Sequence, residues 1–283
     1  MNYRHGFHAG NFADVFKHVF LTRILLYLAR KDAPFRVIDT HAGQGEYDLC
    51  SDEAVRGGEW RDGIGRFAEL GDLGASAREL LKPYLEIVGP LDRGGRPARY
   101  PGSPRIIQAQ MRPQDRATFC ELHPDAFAEL RAKFRRDSRF ACLNLDGYTG
   151  LRAGVPPKER RGLVLIDPPF ERTNELDLAW SALLAAHAKW PSGTYALWYP
   201  VKDARTIAGF AKQIAQSGVR RVLRLELAVD DAVPGGKLAR TGLILINPPH
   251  LLEDEAAILL PALAQKLART SHAEGICQSL AGE

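Results

Sequence analysis

Residues 34–47 read PFRVIDTHAGQGEY, an apolar run that ends in an acid and breaks into a glycine-bearing loop. A short apolar run bounded by turn residues fits a strand buried on both faces. Further along, the same form recurs in RATFCEL (116–122), RFACLNLD (139–146), GLVLIDPPF (162–170), GTYALWYP (193–200), RVLRLELAV (221–229) and GLILINPP (242–249). Helical patterns separate these runs, near 104–112, 124–136, 174–189 and 203–217, with a short one after 146 and a last one over about 253–268. Strands alternating with helices predict a parallel α/β sheet covered on both faces. The loop DDAVPGGKLAR between the last two strands has no room for a helix, so the final strand is expected antiparallel, at that edge. The expectation is a Rossmann-like, mostly parallel seven-stranded sheet with an antiparallel last strand.

Upstream of the opening strand, Asn11 can cap a helix over about 12–30, with Val15, Val19, Leu25 and Leu28 near one face. Residues 46–101 lack strong strand signals. They hold amphipathic stretches around 59–70 and 76–88, then the breaker-rich PLDRGGRPARYPGSP (90–104). With no repeat and no linker, the chain reads as one domain over 1–283 carrying a helical insertion at 46–101.

The composition is that of a globular protein: 283 residues, 45% hydrophobic and 25% charged. It excludes a disordered, collagen-like or disulfide-framework chain. Cys50, Cys120, Cys142 and Cys277 are scattered without a CxxC pair, so neither a metal site nor disulfides are expected. No run approaches the roughly 18 apolar residues of a membrane span, and the N-terminus lacks the apolar stretch of a signal peptide. A cytoplasmic protein with no membrane partner is expected. The formal charge of +4 is concentrated at the start, where Arg4, Lys17, Arg23, Arg30 and Lys31 face only Asp14 within residues 1–31. His5, His8 and His18 share that segment.

Ligands of α/β sheets sit at the carboxyl ends of strands, which directs attention to the residues there. Asp39 is followed by Thr40-His41-Ala42-Gly43-Gln44-Gly45, but the third glycine of a dinucleotide loop is replaced by Asp48. Such an acidic, incomplete loop suits a ligand with a positive centre and no phosphate, as S-adenosylmethionine is; a plain tight turn is the alternative. Glu121, ending the next strand, can accept from ribose hydroxyls. Asp146 can accept from an adenine amine while Gly147 lets the backbone approach the ring. Either acid could instead be a helix cap.

Asp167-Pro168-Pro169-Phe170 weighs most. The prolines fix the backbone so that the Asp167 carboxylate and the Pro168 carbonyl can face one point. Two acceptors there, on the two N–H groups of an exocyclic base amine, favour a pyramidal nitrogen with its lone pair free for methyl transfer, and Asp167 can take the proton. Phe170 offers a face for an extruded base. Asn247-Pro248-Pro249-His250 has a similar form but follows the last strand and reads as a structural turn.

The sequence resembles the J-type 23S ribosomal RNA adenine-N6 methyltransferases, the RlmJ family, essentially from end to end. The resemblance is carried by YRHGFHAGNFADVFKH (3–18), DTHAGQGEY (39–47), YPGSP (100–104), ELHP (121–124), DG (146–147), RRGLVLIDPPF (160–170) and GTYALWYPV (193–201). It implies a class I S-adenosylmethionine-dependent methyltransferase fold with a helical insertion, acting on one adenine of 23S ribosomal RNA. The family's cofactor contacts match His18, His41, Ser103, Glu121, Asp146, Gly147 and Asp167, with Asp167 the proton acceptor. Lys17, beside His18, is a further expected contact, as is Gly43 in the first loop. The family's tyrosine near the target base matches Tyr3. Tyr3, Arg4, His5 and Lys17 interleave aromatic and cationic groups, as RNA contact needs. Relatives often carry Tyr at the place of Phe170, which costs a hydroxyl contact and leaves stacking intact. No metal is expected, and the partner is 23S ribosomal RNA, free or in an early large-subunit precursor, bound by a monomer. The competing expectations are guanine-N2 methylation of ribosomal RNA, adenine-N6 methylation of DNA, a nicotinamide-dependent oxidoreductase, and a non-catalytic RNA-binding module.

Overall fold

The computed structural model describes residues 4–231 and 236–282; Tyr3 lies outside the described residues. A 3₁₀ turn at His5–Phe7 precedes helix α1 (Phe12–Ala29). Asn11 caps α1, its side-chain oxygen accepting the Asp14 N–H at 2.9 Å. Fourteen of the eighteen residues of α1 are buried, so it is a core helix rather than a one-faced one.

Strand β1 (Arg36–Asp39) leads to β2 (Glu46–Tyr47), which pairs antiparallel with β3 (Tyr100–Pro101). Residues 46–101 thus leave and rejoin the fold at one place. Between the two strands lie α2 (Asp52–Gly57), 3₁₀ turns at Glu59–Asp62 and Ile64–Ala68, and α3 (Ala75–Val88). The stretch 59–70 forms turns instead of a helix because glycines punctuate it: Gly58 sits at φ 63° and Gly63 at φ −119°, ψ −112°. A Cβ on Gly63 would collide with the Gly10 carbonyl, so the insertion packs backbone to backbone on the N-terminal segment.

Helix α4 (Ser103–Gln110), β4 (Arg116–Cys120), α5 (Pro124–Phe134), β5 (Phe140–Leu143), α6 (Gly147–Gly154), β6 (Gly162–Ile166), α7 (Glu175–Lys189), β7 (Thr194–Pro200) and α8 (Ala204–Gln216) continue the alternation. Then come β8 (Val222–Ala228), β9 (Arg240–Ile246), α9 (Leu252–Leu267) and β10 (Glu274–Ala281). The sheet order is β10-β8-β9-β7-β6-β1-β4-β5. The five strands from β7 to β5 run parallel, while β9 is antiparallel to β7 and β8, and β10 to β8. Side chains of α1, α4, α5, α9 and the insertion pack in one core on one face, and those of α6, α7 and α8 in a second on the other.

Two expectations need correction. The sheet has eight strands, not seven: β10 pairs with β8 along the open edge. The antiparallel strand β9 is not at the edge either, since it is inserted between β7 and β8. Burial explains this: six of the seven residues of β9 are buried, as befits an interior strand, whereas β10 has none. Among the described residues no helix is long and apolar enough to cross a membrane.

Candidate active site

The carboxyl ends of the parallel strands open on a cavity of about 1220 Å³. The described residues expected to hold cofactor or RNA line it: Arg4, His5, Lys17, His18, His41, Gly43, Ser103, Glu121, Asp146, Gly147, Asp167, Pro168 and Phe170; Asp39 lies buried behind the wall.

On the side of β1, β4 and β5 the strand ends are tied to one another. Asp39 is fully buried and accepts the Ser103 hydroxyl at 2.7 Å. Burial pushes its pKa up to about 7, against the pull of the Ser103 hydrogen bond. Gly43 sits at φ 60° and donates its N–H to Glu121 Oε2 at 2.8 Å; a Cβ there would meet the Tyr47 hydroxyl. Glu121 Oε1 accepts the His123 N–H at 2.7 Å. Burial raises the Glu121 pKa, partly offset by these backbone donors. Asp146 does serve as a helix cap, accepting the Thr149 N–H at 2.9 Å at the start of α6. Gly147 is needed for a reason closer than any ligand: a Cβ would strike the Thr40 carbonyl, so only glycine lets α6 close on the first loop. His41 stands edge-on to Tyr148 with ring centroids 5.4 Å apart, and Tyr148 donates to the buried Glu175 at 2.7 Å.

On the other side, Lys17 spans two carboxylates. Its Nζ lies 3.0 Å from Asp14 Oδ1 and 2.5 Å from Asp167 Oδ2. Burial opposes the Lys17 charge, yet Asp14 and Asp167 more than restore it and lift its pKa above the ordinary value. Asp14 also meets His5 Nε2 at 2.9 Å and accepts the Gly10 N–H at 3.0 Å. Burial works against its charge, but His5 and Lys17 hold its pKa well below the usual range. His18 meets the Tyr100 hydroxyl at 2.8 Å, which in turn lies 3.1 Å from that of Tyr84. Burial lowers the His18 pKa to about 3, so its ring is neutral near pH 7. Phe170 adopts φ 50°, and its ring meets Trp198 edge-on at 5.6 Å. A non-glycine residue in that region is held by its surroundings.

Several members of the site are invisible to motif reading. Asp14 had a sequence signal, the i, i+3 spacing to Lys17 on one helix face. Glu53 and Glu59 had none. Arg4 meets Glu53 at 3.0 Å, His8 meets Glu59 at 3.0 Å, and Asn11 donates to Glu59 at 2.9 Å. The hydrogen bond that the His8 ring donates to the Glu59 carboxylate raises the His8 pKa. Arg23 pairs with Glu255. Much of the N-terminal positive charge is therefore answered inside the protein.

Asn247 donates to the Pro191 and Gly193 carbonyls at 2.7 and 2.9 Å and does not line the cavity. Among the described residues no cluster of three or more His, Cys, Asp or Glu is arranged to hold a metal ion.

A mostly parallel sheet with acids at successive strand ends, an antiparallel strand beyond β7 and a D-P-P-F turn on the shared cavity define a class I methyltransferase. The family described as "Ribosomal RNA large subunit methyltransferase D, RlmJ" matches residues 32–276, and the chain belongs to that family. It is 41% identical to "Ribosomal RNA large subunit methyltransferase J" of Escherichia coli (strain K12) over 275 residues, covering 96% of this chain and 97% of that one. The protein of the same name from Haemophilus influenzae is 40% identical over 268 residues, with 94% of each chain covered. The crystal structure of protein LPL1258 from Legionella pneumophila superposes with a TM-score of 0.86 at 32% identity, covering 96% of this chain and 98% of that one.

Proposed function

We propose that this chain methylates the exocyclic N6 amine of one adenine in 23S ribosomal RNA, using S-adenosylmethionine. One observation carries the proposal: Asp167-Pro168-Pro169-Phe170 faces the same cavity as the strand-end acids Glu121 and Asp146. The names of the E. coli and H. influenzae relatives support ribosomal RNA of the large subunit as the substrate class.

The donor set fits the cofactor. Carboxylates at Glu121 and Asp146 suit hydroxyl and amine donors, and the Asp167 carboxylate on the cavity wall suits a sulfonium centre. Glu121 would take the ribose hydroxyls, Asp146 and the Gly147 backbone the adenine, and His18, His41, Gly43 and Ser103 would line the remainder, with Lys17 beside them. When bound, S-adenosylmethionine supplies an electrophilic methyl group. The chain's own residues do the rest. Lys17 anchors Asp167 through Oδ2, which leaves Oδ1 to accept one N–H of the target amine while the Pro168 carbonyl accepts the other. Localising the nitrogen lone pair in this way is electrostatic preorganisation, and Asp167 would take the proton the amine gives up when its nitrogen bonds the methyl carbon and the C–S bond electrons stay on sulfur as a neutral thioether. Phe170 stacks on the base, and Tyr3, Arg4 and His5 complete the RNA side.

Residues 46–101 form a helical subdomain within a single methyltransferase domain over 1–283, and the enzyme acts as a cytoplasmic monomer on free RNA or an early large-subunit precursor. Incubating the protein with in vitro transcribed 23S ribosomal RNA and labelled S-adenosylmethionine, then analysing nucleosides by mass spectrometry, tests the proposal. Labelled N6-methyladenosine is expected. Labelled N2-methylguanosine, or labelling of DNA in preference to RNA, would replace it.

A further inference from the structure

The wall of the cavity beyond the D-P-P-F turn has no task in the reaction just described. β6, β7, β9 and β8 are neighbours in the sheet, and loops at this edge carry Arg172 after β6, Lys202 after β7 and Lys237 before β9. All three are exposed, and all three line the cavity. None has a carboxylate partner among the described residues. The other Lys and Arg residues of the cavity are engaged: Arg4 with Glu53, Lys17 with Asp14 and Asp167, and Arg269 through a hydrogen bond from Nη1 to the Leu238 carbonyl at 3.0 Å. A cation already paired must give up its carboxylate to meet a phosphate, whereas an unpaired one only exchanges counter-ions.

The remaining walls disfavour a polyanion. The β4 and β5 side presents Glu121, Asp125, Glu129 and Asp146. The insertion 46–101 holds eight Lys and Arg against eleven Asp and Glu, so its net charge is negative. Carboxylates do occur near the unpaired cations, as Glu171, Asp230 and Asp231. Of these, Asp231 meets His272 at 2.8 Å, and Asp230 accepts the Asp231 N–H at 2.8 Å.

We infer that the phosphodiester backbone flanking the target base runs over Arg172 after β6, Lys202 after β7 and Lys237 just before β9, and not across the insertion. This rests on the RNA substrate proposed above. The backbone enters on the same side as Phe170 and Trp198, so the base beside it reaches Asp167 without crossing the acidic wall. Arg269 steadies the path by gripping Leu238, next to Lys237.

The test compares two triple variants with the unaltered protein, using in vitro transcribed 23S ribosomal RNA over a salt series. Arg172→Gln/Lys202→Gln/Lys237→Gln removes the proposed contacts. Arg56→Gln/Lys82→Gln/Arg93→Gln removes exposed cations of the insertion. Each phosphate contact contributes about 0.7 to 0.9 to the slope of log K against log salt, so the first triple should lower that slope by about 2 to 3. Its KM for RNA should rise roughly ten-fold or more, with the dissociation constant for S-adenosylmethionine unchanged. The single reversal Lys202→Glu should shift KM the same way. The insertion triple should leave slope and KM as they are. An unchanged slope in the first triple, or an equal fall in the second, overturns the inference while ribosomal RNA methylation stands. An unaltered protein that methylates no ribosomal RNA removes the substrate proposal and this path together.

Discussion

Two strands of one sheet end in nearly the same letters. β6 runs into Asp167-Pro168-Pro169-Phe170 and β9 into Asn247-Pro248-Pro249-His250. Each turn holds a non-glycine residue at positive φ, Phe170 at 50° and Asn247 at 51°. Their surroundings share nothing. β9 runs antiparallel to β7, with Ile246 opposite Tyr195 near the start of that strand, so Asn247 emerges at the edge away from the cavity. There its amide fastens the Pro191 and Gly193 carbonyls, and Thr194 donates to its own carbonyl at 3.0 Å. Asp167 emerges among Lys17, Phe170 and the cavity instead. The direction of the strand, not the motif, decides which turn can meet a ligand, because only one edge of the sheet carries the loops that enclose one.

Substitutions at the two edges should differ in size and in kind. Asp167→Asn should lower methyl-transfer turnover by roughly 10²- to 10⁴-fold, the scale of a lost proton acceptor, in a single-turnover assay. Near-normal turnover would mean that the carboxylate is not the acceptor. Glu121→Gln removes one charged acceptor from the same edge, and calorimetry should show S-adenosylmethionine binding weakened by about 10- to 100-fold. An unchanged affinity would place the ribose elsewhere. Asn247→Ala acts at the opposite edge: urea unfolding should show a loss of about 1 to 3 kcal/mol, from two hydrogen bonds and the strain of its backbone, with turnover of the folded fraction intact.

The smallest effect has the opposite sign. Burial raises the Asp39 pKa to about 7, above its unfolded value, so folding takes up a proton between about pH 4 and 7. The stability contributed by this group is full below the unfolded pKa and is lost as pH rises through about 7. Asp39→Asn can keep the Ser103 hydrogen bond without the charge, although a buried amide still costs some desolvation. A tenfold change in proton affinity is worth about 1.4 kcal/mol, so the variant should be more stable than the unaltered chain at pH 8 by about 1 to 2 kcal/mol, with a flatter decline above pH 5. Equal stabilities at pH 5 and pH 8 in both proteins would show that Asp39 stays ionised. A buried charge removed from the binding edge then stabilises, and a hydrogen-bonded amide removed from the far edge destabilises.

How much of this was legible in the sequence follows from which forces are local. Seven strands announced themselves as apolar runs, and β10 did not, since Glu274, Gly275, Gln278 and Ser279 interrupt a strand that is exposed at the edge. The strand-end acids were legible because topology alone places them. The +4 of the first segment was legible only as a number. Pairing of Arg4 with Glu53 and of His8 with Glu59 spans about 50 residues and depends on the insertion folding back over residues 4–11. Arg172, Lys202 and Lys237, which have no carboxylate partner among the described residues, are spread through the sequence, and only the sheet order gathers them on one wall.

Methyl transfer to adenine at the β6 turn is tested most directly by measuring labelled nucleosides from 23S ribosomal RNA. The RNA is treated in parallel with the unaltered protein, Asp167→Asn and Asn247→Ala. N6-methyladenosine is expected from the unaltered protein and from folded Asn247→Ala, and almost none from Asp167→Asn that still binds S-adenosylmethionine. Comparable product from Asp167→Asn, or loss of product from folded Asn247→Ala alone, would contradict a reaction at that turn.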